Sequence, residues 1–470
     1  MRAKTGPCTI PMHTVRINVY ALINCDGTFS VAQGRASVAD WRRMPDGAPN
    51  SAARWSAVAI AIAAAIWFSY AGVKHAVASH YAGSTSADDW LHAAQVEPAD
   101  AEHWYQLGRF RQLDFEHTDL TLALTYYRRA VELNPYSPFY KLDLAGTLEM
   151  SGQYAEADKY FQAAQHDYPI SPEVSWKYGN FLLRQQRLTE AYDEIHRAVM
   201  VDPKLIPLAV SRAWRSDPDV HVLLDQILPD TPTADWGAIA YLSDSQEPVA
   251  GLAVWSRLIA KKPAVEWKTV FPFLDMLVAQ ERYDDAGQVW RQALSLAGDS
   301  ASAQEARSLV FDGGFEKDLS GGGFGWQETD VAGANFDIDS DIKHSGERSA
   351  RIVFDGSENL AYNNLYQQVL VTPGTRYRFQ GYLRTEQIST DSGVRFEIYD
   401  PRDQKSLDIL TPNEHGTQPW TLEEADFITG AQTHLIRVRV FRAPSARLDN
   451  KISGTAWVDD VAIFTGGPKP

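Results

Sequence analysis

The stretch "FDGGFEKDLSGGGFGW", Phe311–Trp326, decides how the chain divides, because the hydrophobic pattern changes character across it. It carries six glycines in sixteen residues. A phosphate cradle would need a strand before such glycines and a helix N-terminus after them. The segment that follows, "WQETDVAGANFDIDSD" (Trp326–Asp341), has no helical periodicity, and G-x-x-x-x-G-K-S/T occurs nowhere in the chain. The glycines therefore mark the first edge of a new domain. The boundary is placed just upstream, in "AGDSASAQEARS" (Ala297–Ser308).

Working back from that edge, three stretches align: "ALTYYRRAVELNP" (Ala123–Pro135), "ADKYFQAAQHDYP" (Ala157–Pro169) and "AYDEIHRAVMVDP" (Ala191–Pro203). Ala123, Ala157 and Ala191 stand 34 apart, as do Tyr127, Phe161 and Ile195, then Ala130, Ala164 and Ala198, then the three prolines. Small alanines let two helices approach, and a large apolar residue four positions on fills the space between them. Proline ends each copy because it cannot continue the helix. An apolar-periodic stretch precedes each copy, for example "SWKYGNFLLRQQ" (Ser175–Gln186). Each unit is thus a helix–turn–helix, and a fixed period of this kind marks a solenoid.

The unit resembles the tetratricopeptide repeat. "HWYQLG" (His103–Gly108) matches the family's first-helix signature, and Gly179 falls on the expected glycine. The first full unit has three extra residues near Glu116–Asp119. "WLHAAQVEP" (Trp90–Pro98) looks like a lone second helix, "GLAVWSRLIAKKP" (Gly251–Pro263) and "AGQVWRQALSLAG" (Ala286–Gly298) keep the spacing more weakly, and Lys204–Pro248 is degenerate. The resemblance implies a concave surface lined by first-helix side chains that holds a protein or peptide. By position those side chains are Tyr105, Arg109, Trp176, Asn180 and Arg184, the polar ones suited to a peptide backbone or carboxylate. An α/α-toroid glycosidase would need two carboxylates facing one cleft, roughly 5–9.5 Å apart, and no motif singles out such a pair.

Further upstream, "WSAVAIAIAAAIWFSYAGV" (Trp55–Val73) is nineteen residues without a charge. A bilayer core needs ~20 apolar residues in a helix, and Trp67, Phe68 and Tyr70 sit toward one end, where such rings favour the interface. Residues 1–54 hold seven Lys/Arg and three Asp, whereas Lys74–Asp89 has one Lys and two Asp. The positive-inside rule then leaves the N-terminus in the cytoplasm and the body periplasmic or extracellular. A cleaved signal is the rival, with "AVAS" (Ala76–Ser79) as its cleavage pattern; both readings place the body outside. Translation from Met12 or Met44 instead of Met1 would alter this flank, and a start at Met44 would remove both cysteines, Cys8 and Cys25. From Asp26 onward there is no cysteine, which excludes a disulfide framework or a thiolate site there.

Downstream of the glycines the pattern becomes alternation. "YRFQGYLR" (Tyr377–Arg384), "GVRFEIYD" (Gly393–Asp400) and "LIRVRVF" (Leu435–Phe441) each place apolar residues on one face, as half-buried antiparallel strands do. About eight strands, separated by turns such as "VTPGTRY" and "TPNEHGTQP", predict a β-sandwich or jelly roll. The region resembles carbohydrate-binding modules of the galactose-binding-like jelly-roll type. The residues that carry the likeness are Gly313, Phe315, Glu316 and Trp326, then "HSGERSARI" (His344–Ile352), Val371–Thr385 and the closing "GTAWVDDVAIF" (Gly454–Phe464). Phe311–Glu316 is then the first strand, and "SGGGFG" the turn that lets Trp326 enter the core. The resemblance also implies a structural calcium held by Glu316 and Asp460, where first and last strands meet. The polar strand faces supply Arg378, Gln380, Tyr382, Arg384, Arg395, Glu397, Tyr399, Arg437 and Arg439. If these strands share one sheet, the face is basic with two tyrosines and suits an acidic or polyhydroxylated glycan.

Neither half shows H-E-x-x-H, G-x-S-x-G or a Cys–His pair. A net charge of −16 over 470 residues without a basic cluster disfavours nucleic acid. The expected architecture is a cytoplasmic segment (1–54), a transmembrane helix (55–73), an all-α tetratricopeptide-like solenoid (86–299), a linker (300–308) and an all-β jelly-roll sandwich (309–466). The expected role is a non-catalytic, membrane-anchored scaffold of a bacterial cell envelope. Its repeats would hold a protein and its sandwich a glycan, in polysaccharide assembly or export. The alternative is a glycan-active enzyme or polymerase accessory.

Overall fold

The structure, a computed structural model, describes residues 51–84, 86–114, 118–298 and 308–466. The alternative starts, both cysteines, most of the repeat insertion and nearly all of the linker lie outside the described residues. The described residues fall into two compact units, one ending at Pro98 and the other beginning at Ala99.

In the first unit, α1 (Ser51–Ala82) contains an apolar span of mean hydropathy 1.8, Trp55–Ala82, with none of its most apolar window buried. The helix runs past Val73 through Lys74, so the expected cleavage pattern Ala76–Ser79 is helical. It is followed by α2 (Ala87–Val96), where the lone second repeat helix was expected. Here α2 belongs with α1: Tyr81 and His92 stack at 5.4 Å, and His75 Nδ1 lies 3.1 Å from Glu97.

The second unit begins with antiparallel helix pairs. They are α3 (Ala101–Leu113) with α4 (Leu120–Leu133), α5 (Pro138–Met150) with α6 (Tyr154–Asp167), and α7 (Pro172–Arg184) with α8 (Leu188–Val201). Each first helix has an N-cap: Asp100, Ser137 and Ser171 accept from backbone N–H groups one turn in, and Pro138 and Pro172 occupy the first helical position. The periodic alanines are all fully buried, as are Tyr127 and Ile195. Gly108 is required by this packing, because a Cβ there would stand 2.6 Å from the Tyr127 ring. The turn between helices ends in a left-handed residue, Gly152 in one pair and Gln186, Gln246 and Glu281 in others.

The degenerate segment resolves into α9 (Ile206–Ser216) and a stunted second element, α10 (Val220–Val222) running into one π-helical turn, Leu223–Ile227. Regular pairs then resume with α11 (Pro232–Asp244) and α12 (Pro248–Ala260), and α13 (Trp267–Ala279) and α14 (Tyr283–Ala297).

The rest of the unit is a sandwich of two antiparallel sheets, with nine strands among the described residues: β1 (Ala334–Asp339), β2 (Ser349–Asp355), β3 (Tyr366–Leu370), β4 (Arg376–Ile388), β5 (Arg395–Tyr399), β6 (Asp408–Leu410), β7 (Gly416–Ile428), β8 (Leu435–Phe441) and β9 (Ser453–Thr465). One sheet has the order β1-β2-β9-β4-β7 and the other β3-β8-β5-β6. Phe379, Phe396, Ile398, Val438 and Val458 fill the space between them. Trp326 is buried there as expected, its ring 4.8 Å from Phe315.

Phe311–Glu316 is not a strand. Positive φ at Asp312 and Phe315 breaks the extended run, and the Asp312 carboxylate caps the turn by accepting from the N–H groups of Glu316 and Lys317. The segment still lies against the closing strand, because Leu309 N donates to Ile463 O and Val461 N to Gly313 O.

The glycine-rich loop does more than admit Trp326. It presses on the last repeat: Trp290 of α14 meets the rings of Phe311 at 5.5 Å and Phe324 at 6.1 Å. A Cβ on Gly322 would stand 2.6 Å from Phe271, and one on Gly323 (φ +58) 2.9 Å from Trp290. Leu435 of β8 joins the core of the helices, Leu370 abuts Gly287, and Tyr283 stacks on His434 at 4.9 Å, 3° from parallel. Arg402 lies over Tyr283 and pairs with Glu281 at 2.6 Å. The sandwich thus caps the apolar end of the solenoid, which repeat arrays require.

Candidate functional site

On the face formed by the first helices, a recess of about 350 Å³ is lined by side chains including Asp143, Glu149, Trp176, Lys177, Asn180, Arg184 and Arg212. A second hollow of about 270 Å³ shares Asn180, Arg184 and Arg212 with it and adds Arg215. Trp176, Asn180 and Arg184 therefore converge on one recess. Arg184 is held by Glu149 (2.6 and 2.8 Å), and Lys177 reaches Asp143 at 3.1 Å. Tyr105 and Arg109 do not line the recess. Tyr105 stacks on Tyr140 at 4.6 Å and donates to Asp143 at 2.7 Å, and Arg109 lies over its ring. Burial, then the Asp143 hydrogen bond, lifts the Tyr105 hydroxyl far above its ordinary range. That residue ties the first pair to the second.

The sandwich separates the residues expected on one polar face. Tyr382 and Arg384, with Arg378 and Gln380, belong to β4 in the five-stranded sheet, whereas Arg395, Glu397, Tyr399, Arg437 and Arg439 belong to β5 and β8 in the four-stranded one. On the five-stranded sheet, Arg378 and Gln380 bind Glu424, each at 2.7 Å, the cross-strand pairing expected of a solvated face. Arg384 lies over Trp457, and one face of Tyr382 is occupied by the His344 ring at 3.5 Å.

On the four-stranded sheet the register puts Glu397 opposite Arg439 and Tyr399 opposite Arg437. Neighbouring β3 adds Tyr366 opposite Arg439 and Gln368 opposite Arg437. Arg439 forms an ion pair with the buried Glu397 and lies 4.5 Å from the Tyr399 ring centre and 5.0 Å from that of Phe441. Arg437 lies 4.4 Å above Tyr366. Burial raises the Glu397 carboxyl while Arg439 draws it back. Tyr366 was missed in the sequence because "YQQVL" is too short to show which neighbour it faces. The row begins two rungs beyond Leu370 and Leu435, the pair seated on the last repeat.

At the expected metal position, Asp460 is occupied by neighbours: its oxygens lie 2.6 Å from His344 Nδ1 and 2.8 Å from Ser345 Oγ. The buried carboxylate is Asp459, which accepts from the N–H groups of His344 and Ser345. Burial lifts Asp459 to about 6. A Cβ on Gly314 would stand 3.7 Å from both Asp459 Oδ1 and Glu316 Oε1, so the glycine leaves room between those two carboxylates.

Residues 142–203 match the tetratricopeptide repeat family. These residues are tetratricopeptide repeats. A curated relative, the general transcriptional corepressor ssn6 of Schizosaccharomyces pombe, is 33% identical over 105 residues, which is 22% of this chain and 9% of the relative. The chain thus spans under a tenth of that protein. Among solved structures, YrrB, a tetratricopeptide protein with an unusual peptide-binding site, shares 14% identity, with 46% of this chain and 95% of that one covered and a TM-score of 0.25. The CBM22-1 xylan-binding domain of Paenibacillus barcinonensis Xyn10C shares 15%, covering 36% and 100%, with a TM-score of 0.26. The groove extends past the matched residues to Arg212 and Arg215 on α9. Sequence reasoning passed over both, because they lie in the segment where the repeat pattern decays.

Proposed function

We propose that this protein is a non-catalytic, membrane-anchored scaffold whose tetratricopeptide groove holds a protein segment and whose sandwich holds a glycan outside the cytoplasm. The observation that carries it is the joint. A groove with a tryptophan, an asparagine and three arginines, and a sheet face of alternating arginine and aromatic side chains, are built into one compact unit. Aromatic rings and planar guanidiniums suit sugar rings and their substituents. The apolar α1 is long enough to anchor such a unit. A role in envelope polysaccharide assembly or export fits a scaffold that holds polymer and protein together.

A calcium ion would be held where Glu316 and Asp459 flank the space at Gly314, with Asp460 beside them; the carboxylates of all three take part in hydrogen bonds that the ion would replace in part. When bound it would offset two neighbouring negative charges and fix the loop to the closing strand.

Two measurements test the main reading. Affinity electrophoresis of the full chain in nanodiscs against a polysaccharide panel should show retardation without release of reducing ends. Failure to bind any polymer refutes the glycan arm, and reducing ends would make the protein an enzyme. With Cys8 and Cys25 replaced, a single cysteine at Ser86 (S86C) should react with an impermeant maleimide on intact cells. Labelling only after lysis would overturn the orientation.

A further inference from the structure

The three arginines of the four-stranded face are not equivalent. Arg439 has its charge met by Glu397. Among the described residues, no carboxylate lies within ion-pair distance of Arg437 or Arg395, and the Nε of each is shut off from solvent without a hydrogen-bond partner. Arg437 has only the Tyr366 ring beneath it and a 3.4 Å contact with the Tyr399 hydroxyl. The register sets Arg437 opposite Tyr399 and Arg395 opposite Phe441, so the two lie at opposite ends of the β5–β8 ladder, roughly 13 Å apart along the strands. A chain of net charge −16 has here displayed two uncompensated guanidiniums on one half-buried face.

A neutral glycan covering this face would strip water from both charges and return only hydroxyl contacts, which is costly for a buried ion. A carboxylate or sulfate would meet each guanidinium with two parallel N–H···O bonds. We propose that the sandwich's ligand is a polyanionic glycan, with carboxylate or sulfate groups seated on Arg437 and Arg395 and sugar rings over the partly exposed Tyr366 and Phe441. The inference rests on the glycan-binding reading and narrows it to one chemical class.

The test uses the full chain in neutral-lipid nanodiscs and polymers that differ only in charge: polygalacturonate against its methyl ester, and dextran sulfate against dextran. Binding is expected to at least one charged polymer, tenfold or more above its neutral counterpart, and should weaken as salt rises from 50 to 300 mM. Which charged polymer wins distinguishes carboxylate from sulfate. Joint Arg395→Gln and Arg437→Gln substitution should lower that binding about tenfold with an unchanged melting temperature, and the double Lys variant should restore most of it. Equal binding of charged and neutral polymers, or a Gln variant that binds the charged polymer as the parent does, overturns the inference and leaves the glycan reading standing. Binding to no polymer overturns both.

Discussion

If the sandwich caps the solenoid, removing Trp290 should uncouple the two. Its side chain is only 7% exposed and is walled by Trp267 (5.6 Å), Phe311, Phe324 and the backbone of Gly323. Deleting a buried tryptophan costs about 3–5 kcal/mol. Here that cost falls on two regions at once, because the ring belongs to the helical core while its outer neighbours belong to the sandwich. The parent should therefore unfold the last helices and the sandwich together. In Trp290→Ala, amides of α13 and α14 should exchange by a lower-energy opening while β2 and β9, in the middle of the far sheet, keep their protection. Hydrogen exchange read by mass spectrometry on the full chain resolves both regions. In the same assay Gly323→Ala should move part of the way, since it forces an L-residue into φ +58 and pushes a methyl toward the ring. Independent opening of helices and strands already in the parent, or an equal loss of protection everywhere in Trp290→Ala, would refute the reasoning.

The left-handed turn positions give a second prediction. Gln186 adopts φ +59 at the place Gly152 takes one pair earlier, so Gln186→Gly should stabilise the chain by up to about 1 kcal/mol, and a lowered melting temperature would refute it. pH gives a third. Asp459 is raised to about 6 by burial, and Glu423 to about 7 by burial and the charge of Glu414. In each case the folded form keeps a proton that the unfolded form releases. The stability is therefore fully present below the unfolded pKa of about 4 and is lost as pH rises through the folded value, at most about 3 kcal/mol per group. In EDTA the melting temperature should fall between pH 5 and 7.5; a flat profile would refute this. Calcium at Glu316 and Asp459 should restore more at pH 7.5 than at pH 5, because protons compete for the same oxygens.

The solenoid was legible because its contacts are local: an alanine, a large apolar residue four positions on and a terminal proline are fixed by neighbours within one pair. The alternating strands were legible for the same reason. Sheet membership was not, since pairing is set by partners far away in the chain, and Tyr382 and Arg395 carry no mark of their different sheets. Nor could alternation tell Asp459 from Asp460. A register shift between β4 and β9 beside Tyr382 and a left-handed residue at Asp460 interrupt the two-residue period at that step. The loop of glycines stood out in the sequence as a change of pattern, but its fit to Phe271 and Trp290 depends on residues some forty positions earlier.

The capped solenoid also acts as a ruler. Groove and sheet face are separated by the pair α11–α12 and by the last pair, on which the sandwich sits, so their separation is set by how many helix pairs intervene. Whatever the groove holds is kept at a constant reach from whatever lies on the sheet. One more pair inserted before α13 would lengthen that reach while leaving both surfaces untouched.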